Sequence, residues 1–153
     1  MGAGFLASSL GDYFLDFPDD KYFLPGLIAF FIAHIAFLSY LWPFASWSVP
    51  VCIVIGIFTL GFYVWLKPSL EKGLALPVAA YSGVIALMGM AAITTSLPSV
   101  LIPIGAALFI ASDVVLSVEK FKTKFKFDKT INWVLYAGGQ IALAIGVVSS
   151  LAL

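Results

Sequence analysis

Long apolar runs of about 16 to 23 residues, broken by short charged clusters, constrain this chain more than any motif in it. Wound as an α-helix, a run of that length reaches across a hydrocarbon core of ~30 Å. Inside such a core every backbone N–H and C=O must find its partner within the protein, and only helices and closed β-barrels meet that demand. Barrel strands would alternate polar and apolar positions over segments of about ten residues, whereas the runs here are continuous. The expected fold is therefore all-α: a polytopic transmembrane helical bundle of about six spans, in a single transmembrane domain covering residues 1–153. Composition points the same way, since charged residues make up 10% of the chain against roughly 25% in soluble domains.

The spans are expected at 2–17, 22–42, 47–67, 74–95, 98–118 and 131–153. Pro25, Pro50, Pro77, Pro98 and Pro103 all fall in the opening turn or two of a span, where a missing N–H costs least. "WPFASW" and "TTSLP" read as tight connections, while "DFPDDK", "KPSLEK" and "EKFKTKFKFDK" carry charge. Alternate connections share a side, so these three charged ones share a face. That face holds all eight cationic residues, every one a lysine: Lys21, Lys67, Lys72, Lys120, Lys122, Lys124, Lys126 and Lys129. The positive-inside rule then predicts a multi-pass protein with this face cytoplasmic and both termini on the outer side. Trp42, Trp47, Trp65 and Trp133 lie near span ends, as an interfacial aromatic belt requires. In the last span, Gly138, Ala142 and Gly146 form a row four residues apart that is expected to admit a neighbouring helix closely. "MGAGFL" reads neither as a cleavable signal nor as a myristoylation site. Cys52, the single cysteine, has no intrachain disulfide partner and reads as a small packing residue.

Ionisable residues inside a span cost several kcal/mol on insertion scales and are functional candidates for that reason. Asp12 and Asp113 each lie five residues from the lysine-side end of their expected spans, about 7 to 8 Å below one interface. Both sit towards the negative ends of their helix dipoles, and no lysine lies inside a span at that depth to neutralise them. Burial and mutual repulsion disfavour two charges there. The pair is expected to hold one proton, an acid beside a base. Asp16, one residue from its span end, reads as an interfacial carboxylate. His34 is expected about 18 Å and Gln140 about 13 Å from the same face. Both are candidate lining residues beneath the aspartates. "EKFKTKFKFDK" alternates lysine with phenylalanine, so its phenylalanines could dip into the interface while its lysines meet anionic head groups. As a topology anchor it needs no ligand; as a binding element it would hold a phosphate at the pocket mouth, with Lys120 the candidate contact.

Signatures of other chemistries are missing from the sequence. There is no glycine-rich phosphate loop, nucleophile elbow or zinc motif, so no metal and no cofactor is expected. Nor is there a basic face for nucleic acid.

"GDYFLDFPDDKYFLPGLIAFFIAHIAF", "ALFIASDVVLSVEKF" and "YAGGQIALAIGVVS" resemble, in order, successive segments of the lysoplasmalogenase (YhhN-like) membrane family. The resemblance runs from about residue 4 to the end of the chain. It implies an eight-helix pattern of which this chain would carry the last six. It also implies a hydrolase that opens the vinyl-ether bond of a lysophospholipid substrate, releasing a fatty aldehyde and glycerophosphocholine or glycerophosphoethanolamine. Its paired catalytic aspartates map onto Asp12 and Asp113, and His34 and Gln140 fall on polar positions of its pattern. Two alternatives remain open on the residues themselves. Two helical aspartates are also what an intramembrane aspartyl protease needs, and membrane carboxylates also serve non-enzymatic lipid or proton-coupled transporters.

Overall fold

The computed structural model describes residues 1–17 and 19–152. Six long helices account for most of these: α1 (Gly2–Leu15), α2 (Phe23–Leu41), α3 (Val49–Leu66), α4 (Ala75–Ile93), α5 (Leu101–Phe121) and α6 (Asp128–Leu151). Five of them, α2 to α6, are long and apolar enough to cross a membrane. The first has 14 residues, about 21 Å of helix, and is shorter than a ~30 Å core.

Local chemistry sets the ends. Pro43 and Pro68 have no N–H to continue the helical ladder, and there α2 and α3 tighten into the 3₁₀ turns Trp42–Phe44 and Lys67–Ser69. The fifth helix runs three residues beyond its expected end at 118, because Lys120 falls in its last turn. A cation is favoured at that negative pole, and Lys120 also pairs with Asp20 across the chain. The last helix starts at Asp128 rather than 131. The Asp128 carboxylate accepts hydrogen bonds from the backbone N–H groups of Phe125 (3.1 Å) and Lys129 (2.7 Å). That turn holds Phe127 in the left-handed region at φ 65°.

Two antiparallel pairs frame the bundle, and each is built on glycine. Along α1 and α2, Gly4 lies under the Phe37 ring, Gly11 under Phe30 and Gly26 under Leu15, a constant register in which large apolar side chains fill the space that glycine leaves. Along α5 and α6 the approach is closer still. A Cβ placed on Gly105 would stand 2.6 Å from the Leu143 nitrogen, and one on Gly139 would stand 2.9 Å from the Phe109 nitrogen. On Gly146 it would stand 2.9 Å from the Ile102 nitrogen. The row expected at Gly138, Ala142 and Gly146 is thus corrected: the seam uses Gly139 and Gly146, while Gly138 faces only the Leu108 side chain at 3.6 Å. Gly139 and Gly146, seven residues apart, lie on one face of α6.

Between these pairs stands α4, packed against α2, α3 and α5 and the most buried of the six. The third helix is peripheral, with Leu66 its one buried residue. Phe37, Leu41, Met88, Ile102, Phe109 and Leu143 form the closed centre. At one end of the bundle the α2–α3 and α4–α5 connections are tied by Ser46 N–H to Thr94 O (2.9 Å) and Ser96 N–H to Phe44 O (2.7 Å). At the other end the lysine-bearing segments meet, with Lys120 at Asp20 and Lys122 4.5 Å from the centre of the Trp65 ring.

Replacing Gly139 with isoleucine forces side-chain atoms against α5 backbone and is expected to lower stability by about 3 kcal/mol or more, the upper range for overpacking. Gly138→Ala is expected to be nearly neutral. Thermal unfolding of the purified variants in one detergent checks both.

Candidate active site

Asp113 is carried on α5 and is only 9% exposed. Its Oδ1 accepts a hydrogen bond from the Tyr81 hydroxyl of α4 at 3.0 Å. Its Oδ2 lies 3.5 Å from His34 Nε2 of α2 and has no hydrogen-bond partner. Three helices therefore converge on one carboxyl group.

The His34 ring is fully enclosed. Phe109, Tyr81 and Phe37 stand edge-on to it at centroid distances of 4.8, 5.4 and 6.5 Å. Its Nδ1 sits 2.8 Å from the Phe30 carbonyl oxygen. A carbonyl can only accept, so Nδ1 must carry a proton. The neutral ring then presents a lone pair at Nε2 towards Asp113. Nε2 and the Asp113 Oδ2 stand 3.5 Å apart, and neither has a hydrogen-bond partner.

Asp12 lies on α1, whose face towards α2 is made of small residues: Gly4, Ala7, Ser8 and Gly11. Gly11 lets Phe30 press onto the helix, and Asp12 follows it, turned outwards. Its Oδ2 accepts a hydrogen bond from the Tyr136 hydroxyl of α6 at 2.7 Å. The Tyr136 ring stands edge-on to Phe109 and Phe30, with centroids 5.3 and 5.8 Å away.

Two tyrosine–aspartate pairs thus flank one aromatic wall. This differs from the expectation of a single coupled pair sharing a proton. Among the described residues no hydrogen bond joins Asp12 to Asp113, and each takes its own phenolic donor. Burial differs as well: Asp113 is the enclosed member, and Asp12 is exposed. Their places along the helices also depart from five residues each, Asp12 standing three from the end of α1 and Asp113 eight from the end of α5. The two nevertheless line one space.

That space is a cavity of about 950 Å³ at the lysine-bearing end. Its lining includes Asp12, Ser112, Asp113 and Tyr136, with Lys120, Lys124 and Lys129 among the charged groups at its rim. Asp16, Asp19, Asp20 and Glu119 stand there too. Lys21 holds the Asp19 carboxyl below the usual carboxylate range through a contact of 2.8 Å and its own N–H. A second cavity, of about 650 Å³, lies between α2, α3, α4 and α5 and is almost wholly apolar. Asp113, Leu15, Phe23, Phe30 and Leu116 line both.

Of the residues singled out from sequence, Asp12, Asp113 and Lys120 come together at the polar cavity, and Asp16 stands on its rim. His34 lines neither cavity and stands behind Asp113. Gln140 also lines neither, and its Oε1 is buried without a partner. Sequence reasoning missed Tyr81. Its signal was available, since a tyrosine well inside an apolar span must find a partner for its hydroxyl. No cluster of three or more potential metal ligands occurs among the described residues.

Tyr81→Phe would leave Asp113 with neither oxygen hydrogen-bonded and is expected to cost about 1–3 kcal/mol, the penalty for a stranded buried acceptor. Tyr136→Phe is expected to cost less, because Asp12 can turn to water. Chemical unfolding of the two variants side by side checks the order.

Comparison with known proteins bears on this geometry. The sequence profile of the YhhN family matches residues 1–147. A protein named Lysoplasmalogenase from Mycobacterium bovis is 30% identical over 149 residues, covering 92% of this chain and 57% of that protein. Lysoplasmalogenase TMEM86A of Bos taurus is 26% identical over 162 residues, covering 96% of this chain and 64% of its own length. Lysoplasmalogenase TMEM86B of Rattus norvegicus is 28% identical over 145 residues, with 94% and 59% covered. The chain thus spans between 57% and 64% of the length of these curated relatives. No solved structure matches it.

Proposed function

The chain belongs to the YhhN family, and on that premise we propose that it is a membrane hydrolase opening the vinyl-ether bond of lysoplasmalogens, with Asp12 and Asp113 as its acid–base pair. The observation that carries this reading is the position of Asp113. It stands in the wall common to a polar, lysine-rimmed cavity and an apolar one, and Asp12 faces the polar side. A lysolipid has the matching shape, with a phosphate head, one hydrocarbon chain and the ether linkage between them.

Hydrolysis of that linkage begins with a proton. One carboxyl group delivers it to the alkenyl carbon beyond the ether-bearing one, which leaves an oxocarbenium ion. The other carboxylate takes a proton from water as the water oxygen bonds to the cationic carbon, giving a hemiacetal. The hemiacetal then breaks its bond to the glycerol oxygen, releasing the fatty aldehyde and the glycerophospho-base. General acid–base action of this kind contributes typically 10²–10⁴-fold, and a carboxylate beside the developing cation stabilises it further. Tyr81 and Tyr136 fix the two carboxyls, Lys120 holds the phosphate at the mouth, and His34 supports Asp113 from behind.

The protease reading fits less well. A peptidase dyad works by two carboxylates sharing one proton at close range, whereas these accept separate hydrogen bonds from separate tyrosines. Asp12→Asn and Asp113→Asn are each expected to reduce aldehyde release from lysoplasmalogen by at least about 10²-fold. Full turnover in both variants would remove the aspartates from the mechanism.

The lysine-bearing end is proposed to face the cytoplasm, by the positive-inside rule. With Cys52 replaced by alanine, single cysteines at positions 70 and 124 are expected to react with an impermeant thiol reagent only from the cytoplasmic side. Reaction from the outside would invert the topology.

A further inference from the structure

The apolar cavity is more than a gap beside the active site. Val54, Phe58, Phe62, Ile85 and Ile110 supply much of its wall, and the Ser82 hydroxyl on its lining is turned back to the Val78 carbonyl at 2.8 Å. It shares Asp113 and four other residues with the polar cavity, and its lining runs along α4 from Val78 to Ile93 and along α5 from Ala106 to Phe121, so that Asp113 lies partway along it. Beyond the level of Tyr81 and Asp113, away from the lysine end, its lining continues along α4 to Ile93, about 18 Å of helix at 1.5 Å per residue. One leaflet of a ~30 Å core is about 15 Å deep. That stretch therefore has the length of one lipid chain, and the carboxyl group of Asp113 stands at its head.

We infer that this cavity is a binding channel for one unbranched alkyl chain, and that its lining at Ala107 and Gly89 sets the longest chain the protein accepts. Two details single out these residues. Ala107 is exposed although it lies on α5 beside Ala106, which is only 1% exposed, and the space its methyl group leaves open is the cavity. It lies six residues from Asp113 along the helix, about 9 Å. Gly89 lines the same space from α4, eight residues beyond Tyr81, about 12 Å. A Cβ there would meet only the end of the Ile110 side chain, at 2.7 Å. Both positions are small where the channel needs width, and both lie at a depth that an octyl chain barely reaches and an octadecyl chain must pass. The occupant is one chain attached to a polar head, because the cavity's polar boundary is the wall at Asp113 that the head-group cavity shares.

The identity of the head rests on the lysolipid reading above; the chain gauge does not need turnover. The probes are saturated ether lysophosphocholines, octyl to octadecyl, which lack the vinyl bond and cannot be cleaved by that chemistry. Binding to the full chain in detergent below the probes' own micelle concentrations is measured by calorimetry. The wild type is expected to bind more tightly as the chain lengthens. Ala107→Phe and Gly89→Leu are expected to weaken octadecyl binding about tenfold or more while leaving octyl binding within about twofold, and Ala107→Leu should fall between. The preserved octyl affinity shows that each variant is folded. Val148→Phe, on an exposed face of α6, is expected to leave the whole series unchanged. An unaltered length profile in the Ala107 and Gly89 variants, or an equal loss at every length, overturns the gauge. A shifted profile in a protein that releases no aldehyde from lysoplasmalogen would uphold the gauge and sink the hydrolase reading instead.

Discussion

Asp113 stands almost out of reach of water on a helix built to lie in lipid, and a polar group so placed must be met by partners from its own protein. The partners come from different helices: Tyr81 from α4 and His34 from α2. Neither can be supplied unless the helices hold a fixed register. The glycine seams provide it. On one side Phe30 and Phe37 settle over the glycines of α1, which fixes α2 along its axis. On the other, Gly105, Gly139 and Gly146 bring α5 and α6 to backbone contact, which fixes Asp113 and Tyr136 relative to each other. Packing without side-chain bulk is a common way for membrane helices to gain precision, since apolar burial gives no preference for protein over lipid.

That precision divides the interior into two environments. Phe30, Phe109 and Tyr136 form an aromatic wall, with charged groups and an exposed Asp12 on the side of the lysine-rimmed cavity. Hydrocarbon side chains line the other side. Asp113 belongs to both. On the proposed reading, a reaction that needs a proton delivered at the boundary between a phosphate-bearing head and an alkyl tail would take it from this position, and that reading uses more of the structure than a protease or a transporter does.

Much of this was legible in the sequence, for identifiable reasons. The helical spans follow from hydrophobic length, and the prolines mark their openings. Asp12 and Asp113 stand out because a carboxylate in an apolar run has a cost that demands explanation. What escaped were features set by three-dimensional register. Gly138 and Gly139 are equivalent as letters, and only the rotation of α6 about its axis decides which one touches α5. Asp12 and Asp113 looked alike by position, but helix ends shifted by two or three residues and the outward turn of Asp12 made one exposed and the other enclosed. Tyr81 was hidden because tyrosine is common enough in membrane helices to pass as an aromatic spacer. The partition into two cavities has no local signature at all.

An experimental structure of the protein with a non-cleavable ether lysolipid bound tests the central claim most directly. The phosphate is expected beside Lys120 in the polar cavity, the chain in the apolar one, and the ether oxygen or its neighbouring carbon about 3 Å from an Asp113 carboxyl oxygen. A lipid lying along the outer surface of α3, or one whose ether linkage sits away from both aspartates, would contradict it.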